Sequence, residues 1–195
     1  SGVRQNLGFE AAAVTPNGRS VFVGTEGALV QDGPAASITS TSPVRILRFD
    51  ERTGRLERQY VYVTDPVAET PVPPTAFSVN GLVELLPLGN EHLLAMERSF
   101  SVGAPGTGNT IKLYDVRIGG ATDVDRATSI ADLRRVRPVR KELLLDLRDL
   151  GIPLDNIEGM VLGPELPDGR QSLILVSDNN FAAAQFTQFL LFAVD

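Results

Sequence analysis

Short apolar runs arranged as hairpins dominate the pattern of hydrophobic and polar positions along this chain. In the clearest hairpin, an apolar strand after Glu158 leads through the turn residues Asp168-Gly169 into a second apolar strand, Ser172 to Val176. A β-hairpin brings its two open ends together. Glu158 and Asp178, which flank the two strands, are therefore predicted to lie near each other.

The same pattern occurs in two earlier stretches, whose first strands carry Glu10 and Glu84. Each of the three units continues into a third apolar strand, and the first two continue into a fourth. The predicted third strands cover 44–49, 110–116 and 185–194, and the fourth strands cover 59–63 and 141–147. The second strands end at Glu26, Glu97 and Asp178. Repeats of four antiparallel strands are typical of β-propeller blades.

The repeat predicts an all-β fold, a β-propeller of four-stranded antiparallel blades that spans residues 1–195 as a single segment. The predicted blades cover 6–64, 80–147 and 155–195, and the third lacks a fourth strand. Three blades make half of a six-bladed ring, and an open propeller leaves two apolar faces uncovered. We therefore expect another polypeptide to complete the ring, either a second copy in a homodimer or an N-terminal half that precedes this sequence.

The composition is that of a soluble globular domain, with 43% hydrophobic and 22% charged residues in a chain of 195. The formal net charge of -6 argues against nucleic-acid binding, because no basic stripe is available to neutralise phosphates. No apolar run approaches the roughly 20 residues of a membrane span, so none is expected. The chain has no cysteine, which excludes disulfides and thiolate chemistry and leaves the cellular compartment open.

Two insertions interrupt the second blade. The glycine-rich segment 103–108 is interpreted as a surface loop, because no Lys-Ser pair follows it as in a phosphate-binding P-loop. In the second insertion, residues 119–138, the stretch 129–135 is predicted to form a short helix. A basic cluster near its end is interpreted as a solvated face rather than a binding patch. The cluster consists of Arg134, Arg135, Arg137, Arg140 and Lys141.

Acidic and amide side chains are predicted to collect at one end of the propeller. Loops after the second strands share that end with the connections between blades, because successive strands are antiparallel. Crowded carboxylates repel each other by about 1 kcal/mol per pair at 4 Å in water. Arg98 alone offers too little positive charge, and no lysine lies within reach in the sequence pattern. We therefore expect bound Ca2+, which takes oxygen ligands in adaptable cages. The predicted ligands are Glu10, Glu158, Asp178, Asn179 and Asn156.

The single histidine, His92, is predicted at the opposite end of the propeller, beside a tight turn. We interpret it as a surface residue. A Ser-His-Asp triad is not expected, because its base would lie at the wrong end. A histidine-rich zinc site is not expected either, since the chain has one histidine.

Three blocks of the sequence resemble the phytase-like propeller family, described as "esterase-like activity of phytase". They are 8–10 with 15–19, 81–85 with 96–100, and 155–160 with 177–181. The resemblance covers nearly the whole chain, and Ala11 departs from it where the pattern usually has glycine. It implies similarity to secreted or periplasmic bacterial propellers that hold calcium at the channel mouth. A periplasmic or extracellular location is therefore expected.

Two classes of function remain open. The first is a calcium-dependent hydrolase of a small-molecule phosphoester or ester, with its site at the channel mouth. In that class Glu97 and Arg98 are the candidate catalytic residues, and Arg98 would clamp an anionic group. The metal would polarise the substrate oxygen or lower the pKa of a bound water. The alternative is a non-catalytic propeller with a structural ion, which binds a ligand or a protein partner.

Overall fold

The computed structural model describes residues 2–131 and 136–194, and strands make up most of their regular structure. In chain order the strands are β1 (Phe9–Val14), β2 (Ser20–Thr25), β3 (Ser42–Asp50), β4 (Leu56–Thr64), β5 (Ser78–Pro87), β6 (His92–Ser101), β7 (Asn109–Arg117), β8 (Arg140–Asp146), β9 (Ile157–Glu165), β10 (Gln171–Ser177) and β11 (Phe189–Val194). A short 3₁₀ helix, Leu147–Leu150, follows β8. Gly18, between β1 and β2, and Gly169, between β9 and β10, have φ angles of 68° and 87°, a left-handed conformation that favours glycine.

The strands form three antiparallel sheets, which we call the first blade (β1–β4), the second blade (β5–β8) and the third blade (β9–β11). Within each blade, every strand pairs with its neighbours in sequence. The predicted all-β class and the blade-like arrangement are thereby confirmed. That these three blades form half of a six-bladed ring stays a prediction. In the part of the chain described here, no helix has the length and apolarity needed to cross a membrane.

Two apolar cores hold the blades together. The inner strand β5 lies against β1 on one side and against β9 on the other. Phe22 and Ile46 of the first blade pack against Leu85 of the second. On the far side of the second blade, Met96 packs with Leu175 of the third blade. The inner strands therefore run side by side, and the ends of these strands meet at one place.

A β-bulge interrupts the inner strand of each blade, and its position differs in the second blade. The residue that the strand pairing skips is Glu10 in β1 and Glu158 in β9. In β5 it is Val83, one position before Glu84. A bulge re-aims a side chain, and Val83 packs in the core. Glu84 instead accepts a hydrogen bond from the Leu85 N–H at 2.8 Å. Glu10, Glu84 and Glu158 therefore do not occupy equivalent positions in their three inner strands.

The second insertion, between β7 and β8, crosses the outer strand of the first blade. Val124 and Ile130 pack on Val61 of β4, which is fully buried. The N–H of Val139 donates to the carbonyl oxygen of Val61 at 2.9 Å. Residues 132–135, with most of the helix predicted over 129–135, lie outside the described residues.

The basic cluster is not a uniformly solvated face. The side chain of Lys141 is only 20% exposed, and its ammonium contacts Asp65 and Glu97. The interpretation of a solvated residue is therefore wrong for Lys141, because β8 turns it towards the first blade. Arg134 and Arg135 lie outside the described residues.

Candidate functional site

An open cleft of about 900 Å³ lies where the inner strands of the three blades begin. The segment 5–7 and the glycine-rich loop also contribute to its lining. Phe77 and Phe100 line it as an aromatic pair with ring centroids 6.2 Å apart. The charged residues of the lining comprise four acids and one base. They are Glu10, Glu26, Arg98, Asp155 and Glu158.

Glu26 is enclosed at the junction of the first and second blades. Its side chain is 5% exposed. Its backbone N–H donates to the carbonyl of Gly8 at 2.7 Å, and its carbonyl accepts from the N–H of Leu82 at 3.0 Å. Gly81 is required opposite it, because a Cβ there would clash with the Glu26 side chain. Two inner strands thus hold a carboxylate at the bottom of the cleft.

Burial raises the pKa of Glu26 from its ordinary 4.5 to about 7. The guanidinium of Arg98 opposes this rise, whereas the carboxylates of Glu10 and Glu158 add to it. Glu26 therefore gains and loses its proton near neutral pH. A general acid or base is most effective when its pKa lies near the working pH.

The titration of Glu26 predicts a fall in stability as the pH rises from about 4.5 to about 7. In that window the unfolded chain has lost the Glu26 proton while the folded chain keeps it, so each rise in pH favours unfolding. The contribution is on the order of 3 kcal/mol. We expect Glu26→Gln to remove this part of the pH dependence in urea unfolding series. Glu165→Gln, an exposed carboxylate on β9, is the control. Parallel pH profiles for Glu26→Gln and the unaltered chain would contradict the raised pKa.

Arg98 links the acidic side chains of the cleft. Its side chain is 14% exposed, and its Nη1 donates to the Asn156 Oδ1 and to a carboxylate oxygen of Glu158. Its Nη2 lies 3.3 Å from the Glu26 Oε1. The buried Nε has no hydrogen-bond partner among the described residues. One guanidinium thus contacts a carboxylate of the first blade and one of the third blade. Glu10 adds a further negative charge to the lining of the cleft.

The predicted metal ligands divide into two groups. Asp178 and Asn179 do not line the cleft. The carboxylate of Asp178 accepts from the Asn180 N–H at 2.9 Å, and the amide oxygen of Asn179 accepts from the Phe181 N–H at 3.0 Å. Both side chains therefore form turns within their own loop. The predicted ligands that do line the cleft are Glu10, Asn156 and Glu158.

Comparison with known proteins adds one finding. A protein-family model described as "Phytase-like: Esterase-like activity of phytase" matches residues 1–181. The chain belongs to the phytase-like family. The matched range contains most of the cleft, and membership suggests a phosphoester hydrolase-like function. No curated protein and no solved structure matches the chain.

In this phytase-like chain, Glu97 lies away from the cleft. Neighbouring residues of a strand point to opposite faces, so Glu97 lies on the other side of β6 from Arg98. Its carboxylate, 1% exposed, accepts a hydrogen bond from the Tyr62 hydroxyl at 2.7 Å. Asn80 donates to it at 2.8 Å, and Lys141 donates at 2.5 Å. The structure therefore does not bring the two candidate catalytic residues to one site.

Two lysines supply the positive charge beside Glu97, although the sequence pattern placed none within reach of the acids. Lys112 and Lys141 contact Asp65 at 3.0 and 2.7 Å. Burial alone would raise the pKa of Asp65, but hydrogen bonds from the two lysines and Tyr114 outweigh it and lower the pKa to about 2. Asp65 and Glu97 are thus neutralised internally, in a network separate from the cleft.

The oxygen atoms of the cleft have the chemistry that Ca2+ prefers, namely carboxylates and an amide carbonyl. They come from Glu10, Glu26, Asn156 and Glu158. As they stand, no three Asp, Glu, His or Cys side chains within residues 2–131 and 136–194 converge to hold a metal ion. Arg98 supplies the positive charge in this arrangement. A bound metal ion and the Arg98 guanidinium would therefore compete for the same carboxylates.

Sequence reasoning missed the importance of Glu26 and of the glycine-rich loop. Glu26 ends a second strand, as Glu97 does, but the sequence does not distinguish the one that faces the cleft. Thr107 of the loop lines the cleft, and its hydroxyl donates to the carbonyl of Leu154 at the start of the third blade. This loop was interpreted only as a surface feature. His92, in contrast, pairs with Asp115 at 2.6 Å and does not line the cleft.

Proposed function

We propose that this chain forms the substrate cleft of a calcium-dependent hydrolase of phosphomonoesters or related esters. The observation that carries the proposal is the position of the Arg98 guanidinium, which lies between Glu26 and Glu158 in an open cleft of a phytase-like chain. The cleft combines an anion-binding group, an acid that titrates near neutral pH, and an excess of oxygen ligands.

In the proposed mechanism, Arg98 binds the phosphoryl oxygens of the substrate. A guanidinium presents N–H groups in a fork that matches phosphate geometry. The Nη2, 3.3 Å from the Glu26 Oε1, is less closely engaged than the Nη1. A phosphoryl group can therefore take a hydrogen bond from the Nη2 without competing for the contacts of the Nη1.

Glu26 is the proton donor of this mechanism. Its pKa of about 7 keeps a large fraction protonated at neutral pH. As water forms a bond to phosphorus and the bond from phosphorus to the alcohol oxygen breaks, Glu26 gives its proton to the departing oxygen. The attacking water keeps one proton and loses the other, which restores the proton of Glu26. Burial, the cause of the raised pKa, is thus what keeps an acid available at this pH.

The excess of carboxylates makes the proposed activity dependent on a cation. Glu10, Glu26 and Glu158 outnumber Arg98, so an anionic ester would meet net repulsion in the cleft. Glu10, Asn156 and Glu158 would hold Ca2+, which when bound would polarise a phosphoryl oxygen. Asp178 and Asn179 are not among the proposed calcium ligands, because their side chains form hydrogen bonds within their own loop.

The aromatic pair gives the organic part of the ester a place to bind. Phe77 is 59% exposed and lines the cleft with Phe100. Apolar walls with a few polar groups are typical of small-molecule sites. We therefore expect the cleft to favour esters that carry an apolar or planar organic group.

A colorimetric phosphomonoester such as p-nitrophenyl phosphate tests the proposal. We expect turnover in millimolar calcium and none in excess chelator. Glu158→Gln should lower kcat/KM by at least about tenfold, because it removes a ligand charge from the cleft. Glu165→Gln, an exposed acid at the far end of the same strand, should leave kcat/KM unchanged.

Melting curves separate the two function classes. Calcium should raise the melting temperature and chelator should lower it, by mass action on the folded state. Stabilisation by calcium without turnover of any ester would favour the non-catalytic propeller that binds a ligand or partner. An unchanged curve across millimolar calcium and excess chelator would contradict both the metal and the hydrolase mechanism.

A further inference from the structure

We propose that an open pocket beside the cleft binds the far end of the organic group of the ester. This side pocket has a volume of about 230 Å³ and shares the glycine-rich loop with the cleft as a wall. The connections before and after the second blade form the rest of its wall. Its lining consists of Glu69, residues 105–110, Arg148 and residues 152–154. The side pocket is a second subsite for the substrate of the cleft, and its role therefore rests on the proposed function.

Hydrogen bonds hold the wall that the cleft and the side pocket share. Gly106, Thr107 and Asn109 line both of them. The Thr107 hydroxyl donates to the carbonyl oxygen of Leu154, and the Asn109 side chain donates to that hydroxyl at 3.2 Å. The glycine-rich loop is therefore tied to the chain that enters the third blade, and the two depressions lie next to each other on a defined surface.

The strand that carries Arg98 runs towards this shared wall. Arg98 and Phe100 are two positions apart on β6, so their side chains lie on the same face of the strand, and both line the cleft. The strand ends at Ser101, and the glycine-rich loop follows it. Gly108 of the loop lies directly against the Phe100 ring, because a Cβ at Gly108 would be 3.1 Å from a ring atom. An ester whose phosphoryl group contacts Arg98 can therefore extend its organic group past Phe100 to the loop.

Gly106 offers a crossing point between the cleft and the side pocket. It is exposed, and its φ angle of 67° is a left-handed conformation that favours glycine. A Cβ at this position would meet no atom within 4 Å beyond its chain neighbours, so it would stand in open space. The bare main chain at Gly106 therefore leaves room for an organic group to pass over the loop into the side pocket.

The side pocket suits an uncharged, apolar group. Ile152 and Pro153 are exposed in its wall. The base in its lining, Arg148, already contacts two carboxylates, Glu69 at 2.8 Å and Asp146 at 2.6 Å. These carboxylates offset its charge, which leaves little attraction for a second phosphoryl group. The geometry therefore favours esters with a long apolar organic group.

Two phosphomonoesters of different length test the proposal. One is p-nitrophenyl phosphate, and the other is 6-benzoyl-2-naphthyl phosphate, whose rings extend much further from the phosphorus. Their dissociation constants are measured by equilibrium dialysis in calcium, and KM and kcat are measured for turnover. We expect the unaltered chain to bind the longer ester at least about tenfold more tightly, as an added apolar group in a fitting pocket does.

Two variants alter the crossing point and the side pocket separately. Gly106→Asn places a side chain at the crossing point, and asparagine tolerates positive φ angles. Ile152→Glu places a charge in the apolar wall of the side pocket. Both residues are exposed, so the variants should remain folded by circular dichroism. Each should remove most of the preference for the longer ester. The loss should appear in KM rather than in kcat, because the side pocket binds the substrate and the transition state alike.

Gly54→Asn and Leu144→Glu are the matched controls. Gly54, between β3 and β4, has a φ angle of 65°, and a Cβ there would also stand in open space. Leu144 is an exposed apolar residue of β8. Neither residue lines the cleft or the side pocket, so both variants should keep the preference of the unaltered chain.

The outcomes separate the side pocket from the proposed activity. Equal dissociation constants of the two esters for the unaltered chain would overturn the side pocket and leave the cleft proposal in place. A preference that survives in Ile152→Glu would overturn it as well, because the organic group would then bind elsewhere. The predicted preference without turnover would support the side pocket and contradict the hydrolase. Failure to bind either ester in calcium would overturn the cleft proposal and the side pocket together.

Discussion

Replacing Lys141 with methionine is expected to lower the free energy of unfolding by about 3 kcal/mol. The Lys141 ammonium lies 2.5 Å from Glu97, 2.7 Å from Asp65 and 4.2 Å from the centre of the Tyr114 ring. The Glu97 side chain is 1% exposed, so the substitution leaves a buried carboxylate without its cation. Removing one partner of a buried ion pair costs about 3–5 kcal/mol. We expect the lower end because Lys141 is 20% exposed.

Urea unfolding measures this effect against a matched surface pair. Arg170 contacts Asp168 at 2.7 Å with both side chains about half exposed, and Arg170→Met should change stability little. Adding Glu97→Gln to Lys141→Met should recover part of the loss, because a neutral amide replaces the unpaired charge. Similar losses for Lys141→Met and Arg170→Met would show that the network behaves as an ordinary surface pair.

The fold was predictable because its local signals agree. The turn glycines Gly18 and Gly169 have positive φ angles, and the apolar runs on both sides of such turns favour a hairpin. The strand bounds differ by a few residues, as in β4, which begins at Leu56 rather than at Gln59. The path of the second insertion over β4 was not predictable, because packing between distant segments leaves no periodic pattern.

The site was predictable only in part, since strand register decides which side chains meet. Glu10 and Glu158 reach the cleft because a bulge falls on each of them, whereas the bulge of β5 falls on Val83. Glu97 and Arg98 are adjacent in sequence, and the pleat of the strand separates them. No single-residue pattern reveals the position of a bulge.

Local hydrogen bonding explains the placement of the two ligands that do not line the cleft. The Asp178 backbone N–H donates to the Asn156 carbonyl at 2.9 Å, so the predicted proximity of the two loops is correct for the main chain. The side chains of Asp178 and Asn179 bond to their own loop instead. Asp and Asn often satisfy nearby backbone N–H groups in this way. A hairpin argument predicts where such a residue lies and leaves its side-chain partner open.

The shared use of the cleft acids predicts that Arg98→Met will make the stability of the chain depend strongly on calcium. The substitution leaves Glu10, Glu26 and Glu158 without the guanidinium that now contacts two of them. Because Arg98 lowers the pKa of Glu26, its loss should raise that pKa further above about 7. In chelator, the melting temperature at neutral pH should therefore fall.

Calcium should reverse this fall, and the rise it causes should exceed the rise in the unaltered chain. The reason is that calcium no longer competes with the Arg98 guanidinium for the same carboxylates. Calcium therefore binds the folded state more tightly and stabilises it more. Arg170→Met, at a residue that does not line the cleft, should show the calcium response of the unaltered chain. An equal calcium response in Arg98→Met and in the unaltered chain would mean that Arg98 and the ion do not share ligands. The charge argument for a cation in this cleft would then fail, because Arg98 alone would account for its acids.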